Sequence, residues 1–255
     1  MTVFQGNKKS RPKLLPYLGA IAIIVFLWQV LSLILHKPVL PPPMTAVKEF
    51  IRIFFPVLGR HFVISGYRVV TSLLLALVTA VPIGLVMGAE EKLDRLLSPV
   101  VYLVYPIPKI VFLPIVMILL GIGDQAKIFI IVLIIFFQIL VTARDAAKGI
   151  PRQLVTSVIS LGASRKDIYR HVIVPACLPK ILTAARVSLG TAIAVLFLTE
   201  TVAGSTGLGY FIFNAWYKAN FSEMFAGIIA MSLLGLICYY VLDLLERFWC
   251  RWQYY

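Results

Sequence analysis

Residues 144–179, RDAAKGIPRQLVTSVISLGASRKDIYRHVIVPACLP, lie between two strongly apolar segments and contain no apolar run long enough to cross a bilayer. The stretch carries six Lys or Arg residues and only two acids. An excess of cations in a short loop beside membrane spans is typical of the cytoplasmic side. The sequence therefore predicts that this stretch, the 144–179 loop, connects two spans in the cytoplasm.

Local signals predict two short amphipathic helices within this loop. Pro151 can open the first helix, because the N–H that proline lacks would have no partner in a first turn. Gly162 follows where a chain turns left-handed to end a helix. Ser164 and Asp167 are typical of an N-cap and its acidic N3 partner, and Pro175 is expected to stop the second helix. Two helices joined by such an elbow have the shape of a docking element.

Composition indicates the class of protein to which this loop belongs. The chain has 255 residues, of which 60% are hydrophobic and only 14% charged, with a mean hydropathy of +0.94. A soluble domain would carry about 25% charged residues. The sequence therefore predicts an integral membrane protein with no room for a further soluble catalytic domain. Dispersed cations that fix membrane orientation, rather than nucleic-acid binding, account for the net charge of +13.

Six apolar segments predict an all-α bundle with six transmembrane helices over residues 16–247. Cytoplasmic tails are expected at 1–15 and 248–255. The first segment is predicted to be a retained span rather than a cleaved signal, because Leu14 to Leu35 is 22 residues without a charge and no cleavage site follows. Thr45 is expected to cap a separate interfacial helix along the outer leaflet. The predicted spans cover about 16–35, 69–89, 96–120, 127–143, 180–203 and 225–244.

The third predicted span is irregular and is a candidate translocation path. It contains Pro106, Pro108 and Pro114, with Lys109 between them. Proline frees helical carbonyl groups, which at membrane depth need protein or a wet cavity as a partner. A lysine facing lipid is costly, so this side is expected to face the bundle interior. The alternative is a kinked structural helix whose lysine extends toward the cytoplasmic side.

Glu200, in the outer part of the fifth predicted span, is a second candidate for the path. A carboxylate within a membrane is a functional candidate that needs a partner. It is expected to pair across the pore or to form part of an external gate. The alternative is that the span ends earlier and Glu200 lies at the surface.

The sequence indicates neither a metal site nor a catalytic centre. No Ser-His-Asp set or phosphate-binding G-x-x-x-x-G-K-[ST] motif is present, and the acids are few. The cysteines and histidines are too scattered for ligand spacing. We therefore expect no metal and no cofactor on this chain. These residues are Cys177, Cys238, Cys250, His36, His61 and His171.

The 144–179 loop resembles the EAA loop of binding-protein-dependent ABC importer permeases. In that loop an acidic-Ala-Ala triplet precedes a glycine by four residues, and Ile-x-Leu-Pro ends the motif. Gly162 takes the glycine position and Val172-Ile173-Val174-Pro175 takes the ending, whereas Thr156-Ser157-Val158 replaces the triplet and lacks its acid. The runs PACLPKILTAARVSLGTA and GLGYFIFNAW are similar to the sulfonate, taurine and nitrate branch. The resemblance covers roughly residues 60–245.

The resemblance implies a type I importer bundle with a cytoplasmic coupling helix, in a bacterial inner membrane. A second permease subunit, as a homodimer, two cytoplasmic ATPase subunits and an external solute-binding protein are the implied partners. The chain itself is then no enzyme, since ATP and Mg²⁺ are bound by the ATPase. The solute is a small one such as a sulfonate or nitrate. The implied ATPase-coupling residues are Val155, Thr156, Val158, Leu161, Gly162, Ala163, Ser164, Arg165, Ile168 and Pro175.

Two other functions compete with an importer. An ion-coupled secondary transporter would use Lys109 and Glu200 for protons and would take up solute without ATP. It gives no reason for an elbowed cytoplasmic element. A receptor or scaffold without transport would show no solute flux, and its proline-broken span would be incidental.

Overall fold

The computed structural model describes residues 14–253, which are helical throughout apart from short connections. Residues 1–13 and 254–255, which belong to the two predicted tails, lie outside the described residues. Within residues 14–253 there are eleven α-helices. They are α1 (Leu14–Leu35), α2 (Pro43–Ile53), α3 (Gly59–Ala89), α4 (Glu91–Val104), α5 (Leu113–Leu120), α6 (Asp124–Lys148), α7 (Arg152–Ser160), α8 (Arg165–Ile168), α9 (Val174–Ala203), α10 (Leu208–Tyr217) and α11 (Phe221–Trp249).

The helices account for the six predicted spans. Five helices of the described chain are long and apolar enough to cross a membrane. A sixth span arises when α4 and the segment Lys109–Leu120 are counted together, although they are bent by 76°. The predicted all-α membrane fold is confirmed. The third span is broken, as expected where Pro106 and Pro108 interrupt the helical hydrogen bonds.

The predicted interfacial helix is not a separate element. Helix α2 begins at Pro43 with no side-chain cap, so the expected cap at Thr45 is wrong. A π-turn over Phe54–Leu58 joins α2 to α3, and the helix runs unbroken from Pro43 to Ala89. The Gly59 N–H donates to the Phe54 carbonyl in this wider turn. Such a turn accommodates Pro56 without ending the helix.

A second π-turn shows that the predicted end of a helix at Pro175 is wrong. A π-turn over Tyr169–Ile173 joins α8 to α9, with the Val174 N–H donating to the Tyr169 carbonyl. Pro175 lies two residues beyond this turn, inside the continuous helix, and the wider turn accommodates the N–H that proline lacks. One helix of 38 residues therefore covers Arg165–Val202, and it begins well before the predicted span start at residue 180.

Two further helices exceed the predicted spans. Helix α6 is 25 residues long and extends beyond 127–143 at both ends, and α11 is 29 residues long and extends beyond 225–244. The length of the apolar segment underestimates the length of a helix whose ends are polar, because the intrahelical hydrogen bonds continue beyond the hydrocarbon region of the bilayer. Arg144 and Lys148 consequently belong to α6 rather than to the loop.

Helices α3, α6 and α9 form the centre of the bundle. Their buried aliphatic residues, among them Val69, Ile135 and Leu196, make up the main apolar core. Gly84 and Gly88 of α3 lie against Ala143 and Ala147 of α6. Small residues at this spacing let two helices approach closely in a membrane. Helix α1 is peripheral, since only 6% of its apolar segment Leu18–Leu35 is buried.

Candidate functional site

The elbow of the 144–179 loop has the predicted local geometry. Helix α7 follows Pro151, and Gly162 has a left-handed φ of +83°. The Gly162 N–H donates to the Ile159 carbonyl at 2.9 Å. Ser164 and Asp167 form the predicted capping box, in which each side chain accepts a hydrogen bond from the other residue's backbone N–H. The sequence identified the turn because each of these signals acts within four residues.

The predicted coupling residues divide between two sides of the loop. Leu161 projects from the elbow with 86% of its surface exposed. Val155, Thr156 and Ile168 instead line a cavity of about 490 Å³ between the loop and helices α3, α4 and α6. Thr156, which takes the place of the EAA acid, thus faces the membrane-spanning body. Arg165 is exposed and lines the same cavity. The remaining predicted coupling residues are the half-buried Val158, Ala163 and Pro175 and the exposed Ser164.

An ion cluster forms the base of the loop. The Asp94 carboxylate of α4 is buried and pairs with the Arg144 guanidinium of α6 and, at 2.8 Å, with Lys148 Nζ. Tyr102 Oη lies 2.7 Å from Arg144 Nη1. Farther out, Arg165 Nη1 lies 3.4 Å from Glu90 Oε1. The Asp94 pairs hold α4 to the end of α6 from which the loop departs, and the Arg165–Glu90 pair joins the loop to the connection between α3 and α4. A force on the loop therefore acts on the bundle.

Glu200 lies at the end of the bundle opposite the loop and is fully buried. Arg68 Nη1 of α3 donates to Glu200 Oε1 at 2.5 Å, and Ser65 Oγ donates to the same oxygen at 2.8 Å. The other oxygen, Oε2, accepts from the Gly209 N–H at 2.8 Å. Both oxygens therefore have protein partners in this conformation, and the helix continues past Glu200 to Ala203.

Arg68 extends the same cluster to two further elements. Its Nη2 and Nε lie 2.6 and 2.9 Å from Asp124 Oδ1 at the start of α6. Its Nη1 donates to the Thr206 carbonyl at 2.9 Å. Gly207 has φ +110°, and a Cβ there would overlap the Glu200 carboxylate. We call Ser65, Arg68, Asp124 and Glu200 the end cluster, which ties α3, α6 and α9 to the segment before α10.

Lys109 stabilises the break in the third span. Its Nζ donates to the carbonyl groups of Val104, Tyr105 and Ile107 at 2.9–3.2 Å. The ammonium also lies 4.5 Å from the centroid of the Phe137 ring, a favourable cation–π contact. It thus donates to carbonyl groups at the break that Pro106 and Pro108 introduce. Pro114 lies in the first turn of α5, where proline is tolerated.

The structure does not bring Lys109 and Glu200 together. Lys109 contacts Phe137, whereas Glu200 belongs to the cluster that includes Asp124 at the first residue of α6. Thirteen residues of α6 separate these two positions, about 20 Å along the helix. A proton relay between Lys109 and Glu200 is therefore not favoured.

Sequence reasoning missed the partners of Glu200 and the contact between α3 and α6. Arg68 directly precedes the uncharged second span, and opposite charges that border two spans are a usable signal for pairing. The G-x-x-x-G pattern at Gly84 and Gly88 was a signal for close helix packing. In residues 14–253 no group of three or more His, Cys, Asp or Glu side chains could hold a metal ion.

Comparison with known proteins agrees with this architecture. Residues 80–249 match the family described as binding-protein-dependent transport system inner membrane component. A Methanocaldococcus jannaschii chain named as an ABC transporter permease is 33% identical over 85% of this chain and 84% of its own length. The taurine transport system permease protein TauC of Escherichia coli is 30% identical over 92% of this chain and 89% of its own length.

A more distant relative and a solved structure extend the comparison. The nitrate import permease protein NrtB of Synechococcus elongatus is 27% identical over 91% of this chain and 86% of its own length. An inward-facing structure of the MetNI methionine ABC transporter matches the fold with a TM-score of 0.67. That match has 24% identity and covers 75% of this chain and 95% of the other. The chain thus belongs to the family of binding-protein-dependent transport system inner membrane components and is a transmembrane permease subunit of an ABC importer.

Proposed function

We propose that this permease imports a small oxyanion, a sulfonate or nitrate, that an external binding protein delivers. Two copies of the chain face each other around the path, and two ATPase subunits, which bind ATP and Mg²⁺, each receive one 144–179 loop. The loop and both termini lie in the cytoplasm. The names of the taurine and nitrate relatives support the solute class. The cationic composition of the loop supports its orientation.

The observation that carries the proposal is the exposed elbow on an anchored base. Leu161 presents a large apolar surface at the tip, and no part of the described chain covers it. Single exposed apolar residues are common, but here one directly precedes the left-handed Gly162, between α7 and a helix that begins with a capping box. The base is held by the ion pairs of Asp94. A groove on an ATPase subunit would bury this tip and gain a firm grip on the bundle.

Helix continuity explains how motion at the elbow would reach the far side of the membrane. The 38-residue helix Arg165–Val202 begins beside the elbow and contains Glu200 near its other end. At about 1.5 Å per residue it is about 57 Å long, longer than a bilayer is thick. Closure of the ATPase subunits would move the elbow, and this helix would carry the displacement to the end cluster. The path would thereby alternate between inward-facing and outward-facing states.

Replacing Gly162 with Leu is expected to uncouple ATP hydrolysis from uptake while the permease remains folded. A side chain at φ +83° is strained by about 1–2 kcal/mol, and the elbow would change shape to relieve the strain. The measurement is ATP-driven uptake and ATPase activity of the complete complex in proteoliposomes. Gly121→Leu is the control for a strained side chain outside the loop, because Gly121 has open space, φ +80° and ψ 167°, a backbone region that is essentially restricted to glycine. Equal uptake by both variants would contradict the coupling role.

A solute panel tests the proposed cargo and energy source. Vesicles that contain permease, ATPase and binding protein are expected to accumulate taurine, ethanesulfonate or nitrate only when ATP is supplied on the side of the ATPase subunits. Methionine serves as a comparison solute. A protonophore should leave the uptake unchanged, since the driving force is ATP. Uptake that persists without ATPase subunits and is abolished by the protonophore would instead establish the ion-coupled carrier.

A further inference from the structure

We propose that a cavity between α6 and α9, the α6–α9 cavity, is a solute-binding site within the membrane. Its solute is a small sulfonate-type oxyanion that also carries a hydrogen-bond donor, as an aminoalkanesulfonate does. Gln138 and Ser188 are the residues that recognise it. The inference rests on the proposed function, since it gives a transported solute a place to bind inside the permease.

The cavity has the size and position of a solute site. Its volume is about 580 Å³, within the range of small-molecule sites. Lys180 lies on its wall near the loop end of α9, and Ser188 lies eight residues farther along the same helix, about 12 Å deeper. The cavity thus extends from the loop end toward the middle of the bundle. Its polar lining residues are Gln138, Thr142, Lys180, Thr183, Ser188 and Glu246.

The unpartnered buried polar atoms of the described chain all line this cavity. Among residues 14–253, Gln138 Oε1, Ser188 Oγ and Glu246 Oε2 are the buried side-chain oxygens without a hydrogen bond. Glu246 is nevertheless held by an ion pair with Arg186, so its charge is balanced. Ser188 is 1% exposed and, unlike Ser232, does not bond to the carbonyl four residues earlier. Buried polar atoms without partners are rare and need an explanation.

Contact with lipid does not explain the unpartnered oxygens of Gln138 and Ser188. Hydrocarbon offers no hydrogen bonds, so polar atoms at membrane depth face protein or a wet cavity. The adjoining exposed surface of α9 includes Thr183, Val187, Gly190 and Ala194, whose side chains are smaller than those of the leucine- and isoleucine-rich face of α1. Ser188 and Gln138 therefore border a polar cavity rather than lipid.

The charges and hydrogen-bonding groups of the wall select the solute class. Arg186 neutralises Glu246 and also lies 3.2 Å from Asp243. Lys180 has no acidic partner within ion-pair distance among the described residues, so the wall offers one free positive charge to an oxyanion. The Ser188 hydroxyl can donate to the same anion. Gln138 Nε2 donates to Thr191 Oγ1 at 3.3 Å, which leaves Oε1 to accept from a donor on the solute.

Uptake by two variants tests recognition. In proteoliposomes with the complete complex, Ser188→Ala is expected to lower uptake of taurine and ethanesulfonate about tenfold, as for loss of a hydrogen bond to a charged group. Gln138→Leu should lower taurine uptake more than uptake of ethanesulfonate, which lacks the amine. Ser232→Ala is the matched control, because Ser232 lies on α11 outside the cavity. Uptake by Ser188→Ala equal to that of Ser232→Ala would overturn the site.

Thiol labelling gives a readout that does not depend on transport. Thr183→Cys, at an exposed position of the cavity wall, should react in the assembled complex with a charged, membrane-impermeant methanethiosulfonate, and saturating taurine should slow the reaction. The wild-type complex measures the background from the native cysteines, of which Cys177 and Cys250 are buried. No labelling would mean that lipid or the second copy covers the cavity, and labelling without protection would mean a water passage without a site. Each of these outcomes overturns the proposal.

The two levels of failure are distinguishable. If wild-type complexes show no ATP-dependent uptake of taurine or ethanesulfonate, the proposed function fails and the site fails with it. If wild-type uptake is intact while Ser188→Ala, Gln138→Leu and Ser232→Ala behave alike, only the assignment of the cavity is wrong.

Discussion

Arg68→Ala is expected to lower the free energy of unfolding by about 3–5 kcal/mol, because it leaves the buried Glu200 carboxylate without its cation. The same substitution removes the link to Asp124 and thereby loosens α3 from the start of α6. Unfolding of the permease in detergent micelles, followed by tryptophan fluorescence against denaturant, measures the effect. Arg60→Ala is the matched control, because Arg60 lies on the same helix and is exposed.

A double-mutant cycle separates the pair from the burial of a single charge. Replacing both partners, Arg68→Met with Glu200→Leu, should recover a large part of the stability lost in Arg68→Met alone, because no unpaired buried charge then remains and Asp124 is half-exposed. Uptake should not recover if the end cluster also serves as a gate. Two separated charges can be hydrated when the gate opens, whereas two separated apolar side chains cannot. A loss of less than about 1 kcal/mol in Arg68→Ala, the range of exposed pairs, would contradict the buried cluster.

Gly88→Ala is expected to destabilise the permease by about 1–3 kcal/mol, although alanine is the better helix former. A Cβ on Gly88 would overlap the Arg144 carbonyl and lie 2.7 Å from the Ala147 Cβ. One on Gly84 would lie 2.6 Å from the Leu140 carbonyl oxygen. Because these contacts involve backbone of α6, the two helices must move apart. The displacement would also strain the Asp94 ion pairs, since Arg144 belongs to the same stretch.

Gly19→Ala provides the comparison for this prediction. Gly19 lies in α1, and a Cβ there would have no neighbouring atom within 4 Å, so the substitution should stabilise the helix slightly. Thermal unfolding in nanodiscs, together with uptake by the complete complex, measures both variants. Identical behaviour of Gly88→Ala and Gly19→Ala would show that the close packing of α3 on α6 is wrong.

The predicted features that proved correct depend on near neighbours in sequence. The six spans follow from runs of apolar residues, and the elbow follows from Gly162, Ser164 and Asp167, whose hydrogen bonds close within four residues. The errors also have a common origin. Pro175 was expected to stop a helix, and the helix that contains Thr45 was expected to be separate from the second span, but a π-turn joins the neighbouring helices in each case.

Composition and local capping, by themselves, determined that this chain is a membrane bundle with an elbowed loop of basic character, because transfer from water and first-turn hydrogen bonds involve each residue and its near neighbours. The tertiary structure alone decided what the polar residues do. Arg68 and Glu200 are 132 positions apart, and Gln138 and Ser188 meet one cavity from different helices. Such contacts depend on how helices pack, and no pattern within a single helix specifies them.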